Sequence, residues 1–195
     1  MLRRWQVVFL ISAGVFLALA LAASWGGVFQ PERGLYEAIA AGLSPAVVAV
    51  FWWINHLGSK WVLLPATGVL VFTLPRILRR RWWLWIAVML VAPALEGLAK
   101  ELVGRPRPEG LGMGFPSGHV TAAMAFFVMA AYLGEKSLAS RRARSALWVV
   151  AALAIILVAI ARVVLRAHWP LDTVGGAALG VACVAAAAWW NERHP

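Results

Sequence analysis

Three side chains in this sequence are of the kind that carry a covalent transfer reaction. His168 and Asp172 stand four positions apart in Arg166-Ala-His-Trp-Pro-Leu-Asp172, and His119 closes the stretch Phe115-Pro-Ser-Gly-His119. An imidazole held by a carboxylate is a recurring nucleophile or base. The carboxylate fixes the ring tautomer, leaves the other nitrogen free to attack and stabilises the cation that forms. Pro170 is expected to open a helix, which puts Asp172 in its first turn, able to face back toward His168 just outside. The segment equally accommodates an aspartate serving the helix N-terminus beside an unrelated interfacial histidine. A second imidazole on the same side, His119, would titrate near neutral pH and could protonate a departing alkoxide.

Around this set stand groups that bind an anion. Lys100, Arg107 and Arg162 offer converging positive charge, and Phe115 to His119 places a turn, a glycine and a serine at a helix start. Free backbone N–H groups and the positive end of the helix dipole suit an anion there. Gly118 has no side chain to hold oxygens off the backbone. The ligand implied is phosphate. Ser117 after a proline is also an ordinary N-cap, so the tetrapeptide alone does not separate the two readings.

The elements that must position these groups belong to a membrane protein. Of 195 residues, 63% are hydrophobic and 13% charged, far more apolar than a soluble domain. A spanning helix needs about 20 apolar residues. Stretches near that length run over Trp5–Ser24, Trp61–Leu78, Trp82–Leu102, His119–Gly134, Ser145–Leu165 and Leu171–Trp190. The expected fold is therefore all-α: a polytopic six-helix transmembrane bundle forming one membrane-embedded domain over residues 1–195, with its functional groups between 100 and 172. A seventh apolar stretch, 38–54, is interrupted by Gly42 and Pro45 and closed by Asn55 and His56. With the N-terminus inside, six spans put Arg3, Arg4, Arg76, Arg79, Arg80, Arg81, Lys136, Arg141, Arg142, Arg144 and Arg193 on the cytoplasmic side, 11 of 18 basic residues, as the positive-inside rule requires. A span at 38–54 would move the cluster from Arg76 to Arg81 outside. The segment 32–58 is therefore expected in, or re-entering, the outer interface, where it would cover the site's entrance.

In this arrangement Lys100 closes the third span, and Ser117 and His119 open the fourth. Arg162 ends the fifth, and His168 and Asp172 stand at the mouth of the sixth. All lie on the outer side, and both termini are cytoplasmic. An ionisable group at membrane depth costs about 2.5–3.5 kcal/mol on insertion scales, so a cluster of them marks a functional site. Snorkelling to headgroups accounts for single Lys or Arg residues, but not for two histidines and an aspartate.

The net charge of +10 does not indicate nucleic acid, because the basic residues are dispersed among apolar spans and serve topology. Trp5, Trp25, Trp52, Trp53, Trp61, Trp82, Trp83, Trp169, Trp189 and Trp190 fall near span ends and read as interfacial anchors. The single cysteine, Cys183, lies within the last span and reads as packing. The first 25 residues share the plan of a secretory signal, with Ala20-Leu21-Ala22 in place of a cleavage box. An uncleaved anchor is the expectation, since removal would break the six-span count.

Three segments carry a family resemblance: Lys100-Glu-Leu-Val-Gly-Arg-Pro-Arg107-Pro108, Pro116-Ser-Gly-His119, and Arg162 through His168 to Asp172. In order and spacing (K-x6-RP, PSGH, R-x5-H-x3-D) they resemble the three-part signature of the type-2 phosphatidic acid phosphatase superfamily, in its bacterial membrane lipid phosphatase branch. The family's third motif usually begins Ser-Arg; here Ala161 precedes Arg162, so a hydroxyl contact is missing. The resemblance implies that His168 attacks phosphorus to form a phosphohistidine and Asp172 orients it. His119 would protonate the leaving group and then activate water. Lys100, Arg107, Ser117, Gly118 and Arg162 would hold the phosphoryl oxygens. No metal or other cofactor enters such a scheme; near the site only Glu96, Glu101, Glu109 and Asp172 are acidic by this reading, without a close carboxylate pair to hold magnesium.

Other charges take plainer readings. Arg105 and Arg166 steer an anion or end a helix in solvent. Glu96, one turn before Lys100, supports it. His56 is interfacial and His194 a tail residue. Gly176 and Gly180 form a G-x-x-x-G for close packing within the bundle. The partners implied are a membrane lipid phosphate and the bilayer, with oligomeric state open. Phosphatidylglycerophosphate, undecaprenyl diphosphate, phosphatidate and a lipid A phosphate all fit, the first two preferred, with a slight lean to undecaprenyl diphosphate. A lipid phosphotransferase, a vanadate-dependent haloperoxidase and a non-catalytic lipid transporter are the competing readings.

Overall fold

The computed structural model describes residues 4–26, 29–73, 81–110 and 112–194. Arg3, Arg76, Arg79 and Arg80 of the expected cytoplasmic set, and the end of the second expected span, lie outside them. The described chain is nearly all helix: α1 (Arg4–Gly26), α2 (Gln30–Ala40), α3 (Pro45–Asn55), α4 (Lys60–Thr73), α5 (Trp82–Val103), α6 (Gly118–Gly134), α7 (Arg141–Val164) and α8 (Pro170–Arg193). Local chemistry sets many of the ends. Proline opens α3 and α8, and Ser44 and Ser140 accept from backbone N–H groups of the first turns of α3 and α7. The last residues of α5 give way to Gly104 in the left-handed region (φ 64°), whose N–H returns to the Lys100 carbonyl.

Four helices, 4–25, 82–103, 141–164 and 170–193, are long and apolar enough to cross a membrane. Two further expected spans correspond to shorter helices, α4 with 14 described residues and α6 with 17. The 32–58 segment is neither one straight span nor loop. It is the pair α2 and α3, bent by 111°, a fifth candidate if the pair is taken as one crossing. These spans make the chain a multi-pass membrane protein.

At the centre, α6 packs against α4, α5, α7 and α8, and α8 also takes α1 along its side. Small residues permit this. A Cβ on Gly176 would lie 2.5 Å from the Ser117 carbonyl oxygen, and one on Gly180 would lie 2.4 Å from Met124 Cβ. The G-x-x-x-G therefore works inside the bundle, against α6, as its spacing suggests. Thr121 Oγ1 adds an interhelical bond to the Gly176 carbonyl (3.2 Å). The tryptophans divide. Trp25 (87% exposed) and Trp61 (78%) face outward as anchors, whereas Trp5 and Trp169 are buried. Trp169 lies against Tyr36 at 4.9 Å and donates through Nε1 to the Pro106 carbonyl, so it joins loops rather than anchoring to lipid.

Candidate active site

The site forms where four helix ends meet: the last turns of α5 and α7 and the first turns of α6 and α8. Backbone bonds brace one connecting loop and tie it to the start of α8. Ser117 N donates to the Asp172 carbonyl (2.9 Å), and Gly114 N donates to the Arg105 carbonyl (2.6 Å). The bond from Ser117 binds the second motif to the third, so the start of α6 and the start of α8 are held as one piece.

His168 and Asp172 are both buried. Asp172 Oδ2 accepts from the Trp169 backbone N–H at 3.0 Å and faces His168 Nδ1 at 3.4 Å, beyond a well-formed hydrogen bond but within ion-pair range. Asp172 thus does both things left open by the sequence: it caps α8 and addresses the imidazole. Burial pushes His168 down from 6.5 to about 4, against the opposing pull of Asp172 and with Arg162 and Arg107 adding to the fall. The ring is therefore neutral near pH 7, as a nucleophile must be.

His119 sits in the first turn of α6, within electrostatic reach of Arg162, His168, Lys100 and Arg107. The 3-10 turn that follows α3 packs onto it: a Cβ on Gly58 would lie 2.8 Å from the His119 carbonyl oxygen. Arg162 is buried and donates from Nη1 to Asn55 Oδ1 at 2.6 Å. Arg107 donates from Nε to the Met113 carbonyl at 3.2 Å. Ser117 occupies the N-cap position of α6 but makes no side-chain cap. Its hydroxyl, Arg162 Nε and His168 Nδ1 are buried without a hydrogen-bond partner among the described residues. Buried polar atoms are ordinarily paired, and a ligand is one way to pair them. Lys100 pairs with Glu96 one turn earlier, as its spacing suggests. A Cβ on Gly118 would lie 2.8 Å from the Glu96 carboxylate, the far end of a flexible side chain, so the glycine and this carboxylate are close neighbours. Ala161 is fully buried and adds no polar group.

Arg105 departs from its expected role, and Glu32 joins the site unexpectedly. Arg105 is not a solvated helix end: it is 1% exposed and donates from Nη1 to Asp172 Oδ1 (2.8 Å) and to Glu32 Oε1 (3.2 Å), and from Nη2 to Glu32 Oε2. Burial works against its charge, but Glu32 and Asp172 outweigh burial and raise its pKa above the ordinary value. Glu32, on α2, is the acid the sequence reading missed. It also accepts from the Leu171 N–H at 2.8 Å. Arg166 is the solvent-facing charge expected, paired with Glu109 at 2.7 Å where both are about half exposed.

Residues 109–195 match the family model of the PAP2 superfamily, a stretch that takes in the second and third motifs but not Lys100 or Arg107. Phosphatidylglycerophosphatase B of Bacillus subtilis is 28% identical over 176 residues, covering 85% of this chain and 86% of that one. The crystal structure of a transmembrane PAP2 type phosphatidylglycerolphosphate phosphatase from Bacillus subtilis superposes with a TM-score of 0.85 at 26% identity, covering 96% and 97% of the two chains. The crystal structure of LpxE from Aquifex aeolicus shares the fold, with a TM-score of 0.65 at 20% identity over 84% of this chain and 98% of that one.

Proposed function

We propose that the protein is a membrane lipid phosphatase that passes a phosphoryl group from a lipid headgroup to His168 and then to water. One observation carries this reading: Ser117 Oγ and Arg162 Nε are buried and, among the described residues, without a hydrogen-bond partner beside the His168 and Asp172 pair, at the junction that also carries Lys100 and Arg107. In the first step His168 attacks phosphorus, the bond from phosphorus to the leaving oxygen breaks, and His119 gives that oxygen its proton. In the second, His119 takes a proton from water, the oxygen attacks phosphorus, and the bond to His168 breaks to return a neutral imidazole and free phosphate. Lys100, Arg107, Arg162, Ser117 and the Gly118 amide hold the charge that develops on the phosphoryl oxygens. No step runs through a metal, and among the described residues no three His, Cys, Asp or Glu side chains gather as a ligand set.

The names of the Bacillus subtilis relatives favour phosphatidylglycerophosphate over undecaprenyl diphosphate as the substrate. Six crossings, with α2 and α3 in the outer interface and both termini cytoplasmic, would open the site to the outer leaflet of the inner or plasma membrane, with residues 1–195 acting as one domain. Phosphate release by purified protein in detergent with EDTA tests the reading. Phosphatidylglycerophosphate, undecaprenyl diphosphate, phosphatidate and a lipid A phosphate are offered separately to wild type and His168→Ala. Release by wild type alone is expected; equal release by the two, or none by a folded wild type, refutes it.

A further inference from the structure

The reaction sketched above uses neither Glu32 nor Arg105, yet the two form the most enclosed ionic group among the described residues. Side-chain exposure is 0% for Arg105, 0% for Asp172 and 3% for Glu32. Stability is a weak reason for such a group, because buried ion pairs often break even against well-packed apolar residues.

We propose that Glu32 and Arg105 are positioning residues for the His168 and Asp172 pair, with Glu32 holding Arg105 against Oδ1 of Asp172 so that Oδ2 stays turned to His168. The inference rests on the catalytic reading of that pair. Three observations support it. Arg105 divides its guanidinium between the two carboxylates, so Asp172 keeps more of its negative field than in an exclusive pair. Glu32 Oε1 also accepts from the N–H of Leu171, the residue before Asp172, and so fixes the backbone that carries it. The Asp172 Oδ2 side is packed by backbone, since a Cβ on Gly114 would lie 2.8 Å from that oxygen, leaving little room to rotate. Because Glu32 lies on α2, the segment expected over the mouth of the site is tied to the reacting imidazole.

The charged and titratable groups facing His168 are Asp172 from α8, Arg162 from α7, Arg107 from the loop after α5 and His119 from α6. Arg105 and Glu32 stand behind Asp172. Glu32→Gln keeps an acceptor for Leu171 N–H but removes the charge that shares Arg105. Arg105 then bears more heavily on Asp172, and the cation forming at His168 loses support. We expect kcat to fall about 10- to 100-fold, the range seen when the partner behind a working histidine is altered in metal sites, with KM unchanged. The acid limb of the kcat profile moves to lower pH, because the cationic ring is less favoured. Arg105→Lys keeps the charge without the two-pronged fork and should lower kcat in the same way.

The experiment measures kcat and KM for phosphatidylglycerophosphate from pH 4 to 8 in wild type, Glu32→Gln, Arg105→Lys and His168→Ala. Nitrogen-15 NMR of the histidines in detergent accompanies it, reading the His168 tautomer without turnover. A lower kcat, an acid-shifted limb and a weakened preference for the Nδ1–H tautomer are expected in both Glu32→Gln and Arg105→Lys. Wild-type kcat and tautomer in a folded variant overturn the proposal, as does a rise in KM alone. A wild type no more active than His168→Ala would refute the catalytic reading instead, and the tautomer would still decide whether Glu32 positions Asp172.

Discussion

Gly176→Ala is the perturbation whose size the geometry sets most directly. The added Cβ would stand 2.5 Å from the Ser117 carbonyl oxygen, where ordinary contact begins at 3.4 Å, so α6 and α8 must part by about 0.9 Å. The neighbour is backbone in the first turn of α6, which cannot swing aside. Overpacking of this kind typically costs about 1–3 kcal/mol. The catalytic cost is larger, because the same separation pulls on the bond from Ser117 N to the Asp172 carbonyl and moves His119 and Ser117 relative to His168. A misplacement near 1 Å can lower turnover about 100-fold. Gly97→Ala is the control: its Cβ meets nothing within 4 Å, and the change favours a helix. Phosphate release and thermal unfolding in detergent measure both effects. Equal turnover and equal melting in the two variants would refute close contact between α6 and α8 as the determinant of site geometry.

Three further predictions concern the site itself. With His168 held down to about 4, kcat/KM should keep its acid limb near pH 4 rather than 6.5, and an acid limb near 6.5 would show that the imidazole is not desolvated in the free enzyme. The same depression makes folding pH-dependent. Between 6.5 and about 4 the unfolded chain binds a proton that the folded chain excludes, so stability falls as pH falls through that window, and His168→Ala should flatten the slope. Ser117→Ala should leave folding intact, since its hydroxyl caps nothing, and lower kcat about 100-fold through loss of one donor to the phosphoryl group; an inorganic phosphate competition assay separates lost binding from lost turnover.

The parts of this site that were legible in the sequence are those whose chemistry is out of place in an apolar chain, or whose partners lie one turn away. His119, His168 and Asp172 could be singled out because membrane helices have no cheap use for them. Glu96 with Lys100, and Gly176 with Gly180, follow from helical spacing alone. Arg105 was misread for a physical reason: two residues from Arg107 and beside a helix end, it has the local surroundings of a solvated cation. What buries it is Glu32, 73 positions earlier, and a long-range ion pair leaves no periodic trace. Asn55 likewise meets Arg162 across 107 positions. The one available signal was Glu32 itself, an acid in the first turn of a short amphipathic helix within a segment expected at the outer mouth. The limits of the spans were legible only in part, because α6 falls short of a full crossing in helical length.

The positions of Glu32 and Arg105 bear on how the site handles charge. In the proposed reaction a phosphate ester must be drawn in by cations, yet the nucleophile needs a carboxylate beside it, and a carboxylate exposed to the same ester would repel it. The structure separates the two demands by partner. Among the described residues Arg162 Nε and Ser117 Oγ take no hydrogen bond at the junction of the motifs, while Asp172 has one oxygen committed to Arg105. Arg105 neutralises Asp172 toward the anion without occupying the oxygen that addresses His168. A lone Arg105 would neutralise it too well, leaving a poor partner for the imidazolium; dividing the guanidinium with Glu32 restores part of that charge. Glu96 makes the complementary arrangement on the cationic side, holding Lys100 beside Gly118 until a stronger anion competes for it. On this reasoning the acids at the site are as necessary as its cations, and removing Glu32 should impair turnover more than it impairs binding.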